Sequence, residues 1–382
     1  MTAQARPSEA SPPRTSAVAI AHDYLTQRGG AERVVVAIQR AFPGAAIHTS
    51  VYDPDGTYAE LRRSTVVTTR LQRIGAFRRN PRLALPVLAP AMSRLRVDAE
   101  VTVCSTTGWA HGVNALGARV LYVHNTARWL YQRDEYLDGL PAAYRLGLAP
   151  LAPWLRHWDR DAGASAELVL VNSGVTRARV RRHWGRDAIV LHPPPGLGLE
   201  GPREPVEGLE PGFLLTVARL MPYKRVDIVL EAVAATGSPL VVVGDGPERE
   251  RLARLAPRST RFVTRADDAQ LRWLYANAEA LVTAAHDDFG LTPLEAMQFG
   301  TPVVAVREGG FPETVVAGET GVLFDGATSN SVQRGLEDLR TVSWNRARVA
   351  ERAAEFSEAT FARRLREAVA EVARTRSPGP SG

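Results

Sequence analysis

The sequence of 382 residues contains a single cysteine, Cys104, and no long uninterrupted apolar run. One cysteine excludes an intrachain disulfide and a thiolate zinc cluster, and it favours a reducing compartment. The longest apolar run, Leu83 to Met92, is about half the length needed to span a bilayer, and prolines interrupt it. Residues 1–16 lack the apolar core of a signal peptide. We therefore expect a cytoplasmic protein, at most peripheral to the inner face of the cytoplasmic membrane.

Acidic residues are outnumbered by basic ones, and the basic ones are unevenly distributed. The chain has 47 Lys and Arg against 41 Asp and Glu, a formal charge of +6. This balance favours anionic partners, among them nucleotides, anionic lipid head groups and nucleic acid, without choosing among them. Residues 69–96 contain seven arginines and no acidic residue, interleaved with Leu, Ile and Phe. Such a segment is typical of a contact with an anionic membrane surface, and the alternative is a solvated basic loop over a core helix.

Strand and helix patterns alternate in both halves of the sequence. In the first half, Val18 to His22 is a β-like run, and Ala31 to Phe42 has apolar residues at helical spacing. Six further β-like runs precede a stretch rich in proline and glycine, and six more follow it. This order predicts an α/β fold with two doubly wound, Rossmann-like parallel sheets. Their carboxyl ends should face a central cleft, where open sheets of this kind bind ligands.

The same pattern predicts how the chain divides into segments. In chain order they are a disordered leader at 1–16, an N-terminal domain at 17–195, a linker at 196–212, a second domain at 213–356, a final helix at 357–375 and a tail at 376–382. The linker is the stretch dense in proline and glycine and without apolar periodicity. The final helix carries one apolar stripe, formed by Phe361, Leu365, Val369 and Val372.

A turn in the second half carries two carboxylates, Asp287 and Glu295. The turn follows a β-like run at Ala280 to Thr283, and Thr292 can cap a helix that ends at Gly300. A helix N-terminus at the end of a strand is a ready anion site. The alternative is a capping box, in which Glu295 reaches back to the backbone N–H of Thr292.

Two cations, a glycine pair and a histidine follow other strands. Arg219 and Lys224 lie just past the strand that opens the second half, where they could clamp a diphosphate. Gly29 and Gly30 immediately precede the first helix, so their backbone N–H groups can approach a phosphate, although a tight turn needs glycine equally. His124 also follows a strand, where it could hold a sugar hydroxyl or a reacting group, or be a hydrogen-bonded wall residue.

The sequence gives no support for a bound metal or cofactor. The histidines show no paired spacing of metal ligands. Two Asp-x-Asp motifs match the pattern of metal-dependent sugar transfer: Asp53 with Asp55, and Asp159 with Asp161. The first lies in a strong turn sequence and the second in a helical segment, so we expect neither to bind a metal. Residues 242–252 are not a dinucleotide motif, because Arg249 stands where the third glycine would be.

Seven segments stand in an order that identifies a family. In the second half they are VARLMPYKRVD, VVVGDGP and HDDFGLTPLEAMQFGTPVVAVREGGFPETV, and in the first half HDYLTQRGGAERVV, YVHNTARWLY, HWDRDAGASAELVLVNSGV and LHPPP. The former resemble the retaining family 4 glycosyltransferases of GT-B fold. The latter are similar to a branch that builds bacterial polysaccharides and often uses GDP-mannose. The resemblance covers about residues 17–375. It implies a metal-independent transfer of a hexose from a nucleotide sugar to a glycan or lipid-linked acceptor.

The resemblance also implies roles for individual residues. Gly30 would contact the donor diphosphate through its backbone, and Arg219 and Lys224 would neutralise it. Glu295 would hold the ribose hydroxyls, and His124 would lie beside the transferred sugar. The remaining residues expected at the donor are Gly29 and the run Phe289, Gly290, Leu291 and Thr292. The final helix would cross back to the N-terminal domain. No nucleophilic or basic carboxylate is implied.

The sequence departs from the family at Asp287. The family usually has a glutamate there, and that glutamate contacts the hydroxyls of the transferred sugar. The side chain of Asp287 is one methylene shorter, which implies a displaced carboxylate, a different sugar or weak activity. Asp288 does not substitute, because its spacing to Glu295 is wrong. Two other interpretations stay open: a nucleotide-sugar epimerase or hydrolase on the same fold, and a non-catalytic basic protein that binds surfaces.

Overall fold

The computed structural model describes residues 16–132 and 149–376. Its strands are β1 (Ser16–His22), β2 (Ile47–Thr49), β3 (Val66–Thr68), β4 (Arg96–Val97), β5 (Ala99–Thr106), β6 (Asn114–Ala115), β7 (Ala118–Val123), β8 (Leu168–Val171), β9 (Ile189–Val190), β10 (Leu214–Val217), β11 (Leu240–Val243), β12 (Thr260–Val263), β13 (Ala280–Thr283), β14 (Val303–Val306) and β15 (Gly321–Phe324).

The described helices alternate with these strands. They are α1 (Gly30–Ala41), α2 (Gly75–Arg79), α3 (Leu85–Ser93), α4 (Arg128–Tyr131), α5 (Ala152–Ala164), α6 (Gly174–Trp184), α7 (Val226–Thr236), α8 (Arg249–Leu255), α9 (Asp268–Asn277), α10 (Leu291–Gln298), α11 (Phe311–Thr314), α12 (Ser329–Thr341), α13 (Arg346–Ala354) and α14 (Glu358–Arg376). Within the described ranges, none of them combines the length and the apolar character needed to cross a membrane.

Two large parallel sheets organise the molecule, one in each half of the chain. The first has the strand order β3-β2-β1-β5-β7-β8-β9, and the second has the order β12-β11-β10-β13-β14-β15. The thirteen strands of the two sheets, seven and six, are the ones that the sequence predicts. The predicted α/β class with two doubly wound parallel sheets is confirmed. The short strands β4 and β6, which pair with each other, were not predicted.

Central strands are buried along their whole length because helices cover both faces of each sheet. All four residues of β11 and all four of β14 are buried, and both strands consist of Val, Leu and Ala. Helix boundaries follow local chemistry. The Ser173 side chain caps α6 by accepting from the Thr176 N–H, and Gly185 ends the same helix at φ 67°.

Helix α14 packs against the first sheet although it comes from the end of the described chain. It contacts α1, β5 and β7. The four residues of its predicted apolar stripe are all buried, and the ring of Phe361 meets that of Tyr122 edge-on at a centroid distance of 5.5 Å. Both halves of the chain therefore contribute to the core beneath the first sheet.

Candidate functional site

The carboxyl ends of the two sheets meet across a cleft, and side chains from both halves touch there. Arg219, which follows β10, places its Nη1 atom 3.4 Å from Oε1 of Gln27, in the loop after β1. Asp288, which follows β13, accepts a hydrogen bond of 2.8 Å from Asn125, which follows β7. Loops from these strand ends thus line one site, as expected for parallel sheets.

Two helices begin at this cleft. The first residue of α1 is Gly30, and the first residue of α10 is Leu291. A Cβ atom added to Gly30 would lie 3.4 Å from Cδ1 of Leu291, so the two starting residues are neighbours across the cleft. Neither helix has a side-chain cap, so their first backbone N–H groups have no intrahelical or side-chain acceptor. Paired helix starts of this kind favour a bound anion.

The start of α10 differs from the prediction. Thr292 is inside the helix, and the capping residue is Gly290, with φ 83°. A Cβ atom at Gly290 would lie 2.4 Å from Cε1 of Phe311, so both the backbone conformation and the packing require glycine. The helix consequently begins earlier than the Thr-Pro signal indicates. The alternative of a capping box is also wrong, because Glu295 has other partners.

Glu295 is held between α9 and the stretch after β9. The Tyr275 hydroxyl donates to its Oε2 atom at 2.8 Å, and the Gly196 backbone N–H donates to its Oε1 atom at 3.1 Å. Burial raises the pKa of Glu295 above its ordinary value, although Tyr275, Arg33 and the Gly196 N–H oppose that shift. A carboxylate accepts about four hydrogen bonds, so this one retains capacity for hydroxyl donors.

Lys224 and Asp287 form a close ion pair at the same end of the second sheet. The Nζ atom lies 2.6 Å from Oδ1 and 2.8 Å from Oδ2 of the carboxylate. Burial alone would lower the pKa of Lys224, but the charge of Asp287 outweighs it and raises the pKa. Lys224 is therefore a fixed positive charge in the cleft. It is also the only lysine of the chain, in which 46 of the 47 Lys and Arg residues are arginine.

His124 lies at the end of β7 and is 8% exposed. Its Nε2 atom is 2.8 Å from the Ser105 hydroxyl. Burial, with a smaller contribution from the neighbouring His22, lowers the pKa of His124 to about 3, and the charge of Asp288 only partly opposes this. His124 is therefore a neutral imidazole at physiological pH.

Asp288 is a cleft residue that the sequence did not predict. It is 7% exposed and forms ion pairs with Arg128 and Arg179, besides its hydrogen bond with Asn125. Burial would raise its pKa, but the two guanidinium groups more than offset that and lower it. Its three partners come from the first half of the chain, so Asp288 joins the two halves. Arg128 lies one turn after His124, but nothing in the sequence signals Arg179.

Glu313 is a second unpredicted residue that joins the halves. Its Oε2 atom lies 2.8 Å from Nε2 of His192, and its Oε1 atom accepts from the Gly174 N–H, the first of α6, at 2.9 Å. The preceding Gly309 is required by packing, because a Cβ atom there would lie 2.0 Å from the carbonyl oxygen of Asp287. The segment GGFPE therefore orders the turn that carries Asp287.

The Asp-x-Asp motifs have structural partners. Asp159 is fully buried and accepts hydrogen bonds from Trp184 at 2.7 Å and from Tyr131 at 2.9 Å. Asp55 pairs with Arg62 at the surface. In the part of the chain that the structure describes, no group of three or more His, Cys, Asp or Glu side chains is placed to hold a metal ion.

Comparison with known proteins classifies the second half of the chain. Residues 202–356 match the family model of the glycosyl transferases group 1. This segment is therefore similar to the group 1 glycosyltransferases. It contains Arg219, Lys224, Asp287 and Glu295, whereas Gly30 and His124 belong to the half that faces it.

Curated relatives of the chain include glycogen synthases and GDP-mannose-dependent mannosyltransferases. A glycogen synthase of Thermus thermophilus is 40% identical over 127 residues, which are 31% of this chain and 29% of that protein. A GDP-mannose-dependent alpha-mannosyltransferase of Mycolicibacterium smegmatis is 30% identical over 216 residues, 54% of this chain and 56% of that protein. The matched stretches therefore cover well under two thirds of these relatives.

Solved structures extend the fold comparison to most of the chain. Anabaena Alr3699/HepE in complex with UDP-glucose has a TM-score of 0.68 at 18% identity, covering 93% of this chain and 99% of that one. Sucrose-phosphate synthase of Thermosynechococcus elongatus also has a TM-score of 0.68, at 17% identity, covering 94% of this chain and 100% of that one. At these identities the likeness shows the fold alone, and that fold is GT-B.

Proposed function

We propose that the whole protein is a retaining glycosyltransferase that moves a hexose from a nucleotide-diphosphate sugar to a glycan or lipid-linked acceptor. The observation that carries the proposal is the placement of Lys224 in the cleft where α1 and α10 begin. A half-buried ammonium and two uncapped helix starts suit a diphosphate leaving group. Glu295 has free acceptor capacity for the ribose hydroxyls of the same donor.

The proposed chemistry uses stabilisation of the leaving group and positioning of the reactants. As the bond between the sugar and the diphosphate breaks, negative charge develops on the phosphate, and Lys224 with the helix starts would stabilise it. Asp287 is paired with Lys224, and Asp288 is paired with two arginines. Neither carboxylate is free to attack the sugar. In this proposal the departing phosphate itself helps to remove the acceptor proton on the front face, which retains the configuration.

For the donor, we favour GDP-mannose. Two observations support it. The N-terminal segments are similar to a branch that often uses this donor, and two Mycolicibacterium smegmatis relatives are GDP-mannose-dependent mannosyltransferases. Glycogen synthase relatives and a neighbouring structure with UDP-glucose favour other bases. In this proposal, side chains near Asp287 bind the hydroxyls of the transferred sugar. Asp287 is shorter than the glutamate that the family usually has at this position.

A thermal-shift panel tests donor and metal together. The full chain is heated with GDP-mannose, GDP, UDP-glucose, ADP-glucose or UDP-N-acetylglucosamine, each with and without EDTA. We expect a shift with GDP-mannose and GDP that EDTA does not change, because Lys224 and the helix starts supply the positive charge. At 100 times the dissociation constant, binding contributes about 2.7 kcal/mol of stability. If only a nucleotide with another base raises the melting temperature, GDP-mannose is not the donor. If no nucleotide raises it, the proposed donor site is wrong.

The two rival interpretations are separated by incubating donor without acceptor. Rapid isomerisation of the donor would identify an epimerase, whereas slow hydrolysis is compatible with a transferase. A non-catalytic surface-binding protein predicts binding that is sensitive to salt and indifferent to the loss of Arg219 or Glu295. The gathering of cations and helix starts at one cleft favours the transferase.

For the acceptor, we propose a lipid-linked oligosaccharide at an anionic membrane surface. The basic segment, residues 69–96, forms α2, α3 and the turns around them. Six of its seven arginines are exposed, and so are Ile74, Leu83 and Val87 at 44%, 43% and 39%. Other apolar residues of the segment are buried in the first half's core, among them Leu85, Leu88 and Met92. Exposed arginines interleaved with exposed apolar side chains suit anionic lipid.

A further inference from the structure

A chain of buried polar groups lies beneath His124, and the proposed mechanism does not use it. It runs from Glu32 in α1 through His22 at the end of β1 and Ser105 in β5 to His124. All but His124 are at most 2% exposed. Burying polar groups costs free energy, because they lose their hydrogen bonds to water. Such groups are retained where they fix a conformation or a protonation state.

The hydrogen bonds of the chain determine where its protons lie. The Nδ1 atom of His22 is 3.0 Å from the backbone carbonyl oxygen of Ser105 and 3.1 Å from the Ser105 hydroxyl. A carbonyl oxygen only accepts, so Nδ1 of His22 must carry a proton. The Ser105 hydroxyl therefore accepts from His22, and its own proton needs another acceptor.

That acceptor is Nε2 of His124, 2.8 Å from the hydroxyl. The structure gives Ser105 Oγ no further partner among the described residues, and a buried hydroxyl proton left without an acceptor destabilises the fold. Nε2 of His124 is thus unprotonated, and a neutral imidazole then carries its single proton on Nδ1. This Nδ1 atom has no partner in the described ranges and is not among the fully buried, unpartnered atoms. Because His124 directly follows β7 at the carboxyl edge of the first sheet, we infer that Nδ1 is open to the cleft.

The direction of the hydrogen bond from His22 to Ser105 does not depend on the charge state of His22. Its Nε2 atom lies 4.0 Å from Oε1 of Glu32. Burial by itself would lower the pKa of His22, but Glu32 and Asp23 outweigh it and raise the pKa. A second proton on His22 would lie on Nε2, so Nδ1 of His22 donates to Ser105 in either charge state and leaves the hydroxyl a single role, as donor to His124.

We propose that His22 and Ser105 are positioning residues that lock His124 in the Nδ1–H tautomer, so that His124 offers the cleft a hydrogen-bond donor and no acceptor. This inference rests on the proposed function in one respect, because the oxygen that accepts from Nδ1 would be a hydroxyl or ring oxygen of the transferred sugar. With the opposite tautomer His124 would present a lone pair there, and that hydrogen bond would be lost.

The test is a long-range ¹H–¹⁵N correlation spectrum of the full chain labelled with ¹⁵N-histidine, recorded without donor. The His124 signals are assigned by their loss in His124→Gln. We expect an unprotonated Nε2 and a protonated Nδ1 in the wild type. In Ser105→Ala the Nε2 atom loses its donor, so both nitrogens should move to intermediate shifts. Ser105→Thr keeps the hydroxyl and should keep the wild-type pattern. His111, which is hydrogen-bonded to Thr106 and has no hydrogen bond to His22 or Ser105, is the internal control.

Two variants of His22 sharpen the test if the Ser105 variants fold poorly. The amide nitrogen of Asn takes the position of Nδ1, so His22→Asn should preserve the His124 pattern, whereas His22→Leu should abolish it. A protonated Nε2 in wild-type His124, or an unchanged pattern in both Ser105→Ala and His22→Leu, overturns the lock. With the donor from the thermal-shift panel, Ser105→Ala should lower kcat about tenfold with little change in KM, and Ser105→Thr should recover it. The spectra need no donor, so the lock and the proposed function fail independently.

Discussion

Lys224 carries the positive charge that the proposed leaving group needs, and Asp287 holds that charge in place. We expect Lys224→Ala to lower kcat by roughly 10²–10³, as loss of one preorganised donor does elsewhere. The measurement is steady-state transfer with the donor found in the thermal-shift panel, with Arg254→Ala as control, because that exposed arginine lies on α8. Wild-type turnover together with unchanged donor affinity in Lys224→Ala would show that the lysine has no such role.

A chemical experiment tests the same residue in the unaltered protein. Because Lys224 is the only lysine, an amine-specific methylating reagent can modify only this side chain and the N-terminal amine. We expect bound GDP-mannose to protect Lys224 and to leave the N-terminal amine reactive, as measured by peptide mass spectrometry. Equal modification with and without saturating donor would place the diphosphate away from Lys224.

The buried carboxylate of Glu295 should favour donor binding but lower the stability of the fold. The pH dependence of the unfolding free energy tests the second effect. Burial raises its folded pKa, so the ionised form destabilises the fold progressively as the pH rises through that value, and below the unfolded pKa there is no penalty. In the Glu295→Gln variant, the new side-chain amide could accept from the Gly196 N–H and donate to the Tyr275 oxygen. We expect this variant to be more stable than the wild type at neutral pH, with the difference vanishing in acid, as followed by urea denaturation between about pH 4 and 8.

The same substitution should weaken donor binding. A carboxylate accepts ribose hydroxyls more strongly than an amide does, by about 1.4 kcal/mol, which is about tenfold in affinity. Titration with the nucleoside diphosphate, which contains the ribose but lacks the transferred sugar, isolates this effect. If Glu295→Gln binds the nucleoside diphosphate with unaltered affinity, Glu295 does not hold the ribose hydroxyls.

At the scale of elements, the basic segment offers a test of the membrane proposal. Replacing Arg70, Arg73, Arg78 and Arg79 with glutamine should abolish sedimentation with phosphatidylglycerol vesicles, because each basic residue near such a surface contributes about 1 kcal/mol. A matched control replaces four exposed arginines of the other half: Arg203, Arg254, Arg258 and Arg265. Vesicle binding that falls equally in both variants would indicate general charge attraction and no specific face.

Elements were predictable where a local pattern decides them. Strands such as β11 and β14 are short runs of buried aliphatic residues, and α14 shows a clear apolar stripe. Helix α13 was not predicted, because only Val349 and Ala353 of its nine residues are buried. The start of α10 was predicted late, since the Thr-Pro signal is local whereas contact of Gly290 with Phe311 is tertiary.

Local sequence patterns predicted only some of the residues in the cleft. Lys224 and Glu295 were predictable from their position after strands and from a family resemblance. Asp288 was not, because its partners lie far away in sequence: Arg179 is 109 residues distant and Asn125 is 163. No periodicity or turn chemistry links such positions. A residue that joins two halves of a chain is recognised only when both are folded.

At the scale of the whole molecule, Asp288 and Glu313 hold the two halves together around the cleft. Asp288 is the more buried, and its two arginines would repel each other without it. We expect Asp288→Asn to open the cleft and raise the radius of gyration in small-angle X-ray scattering. Asp187→Asn is the control, because Asp187 forms an exposed ion pair with Arg177 within the first half.

The unfolding free energy of Asp288→Asn distinguishes opening of the cleft from a local loss of stability. Breaking a buried ion pair while the remaining charges stay buried costs about 3–5 kcal/mol. If the cleft of Asp288→Asn opens, Arg128 and Arg179 regain water and most of that cost disappears, so we expect a larger radius of gyration with little change in unfolding free energy. A large loss of stability at constant radius would mean that the halves stay closed without Asp288, and Glu313 with its contacts to His192 and α6 would then be the dominant link between them.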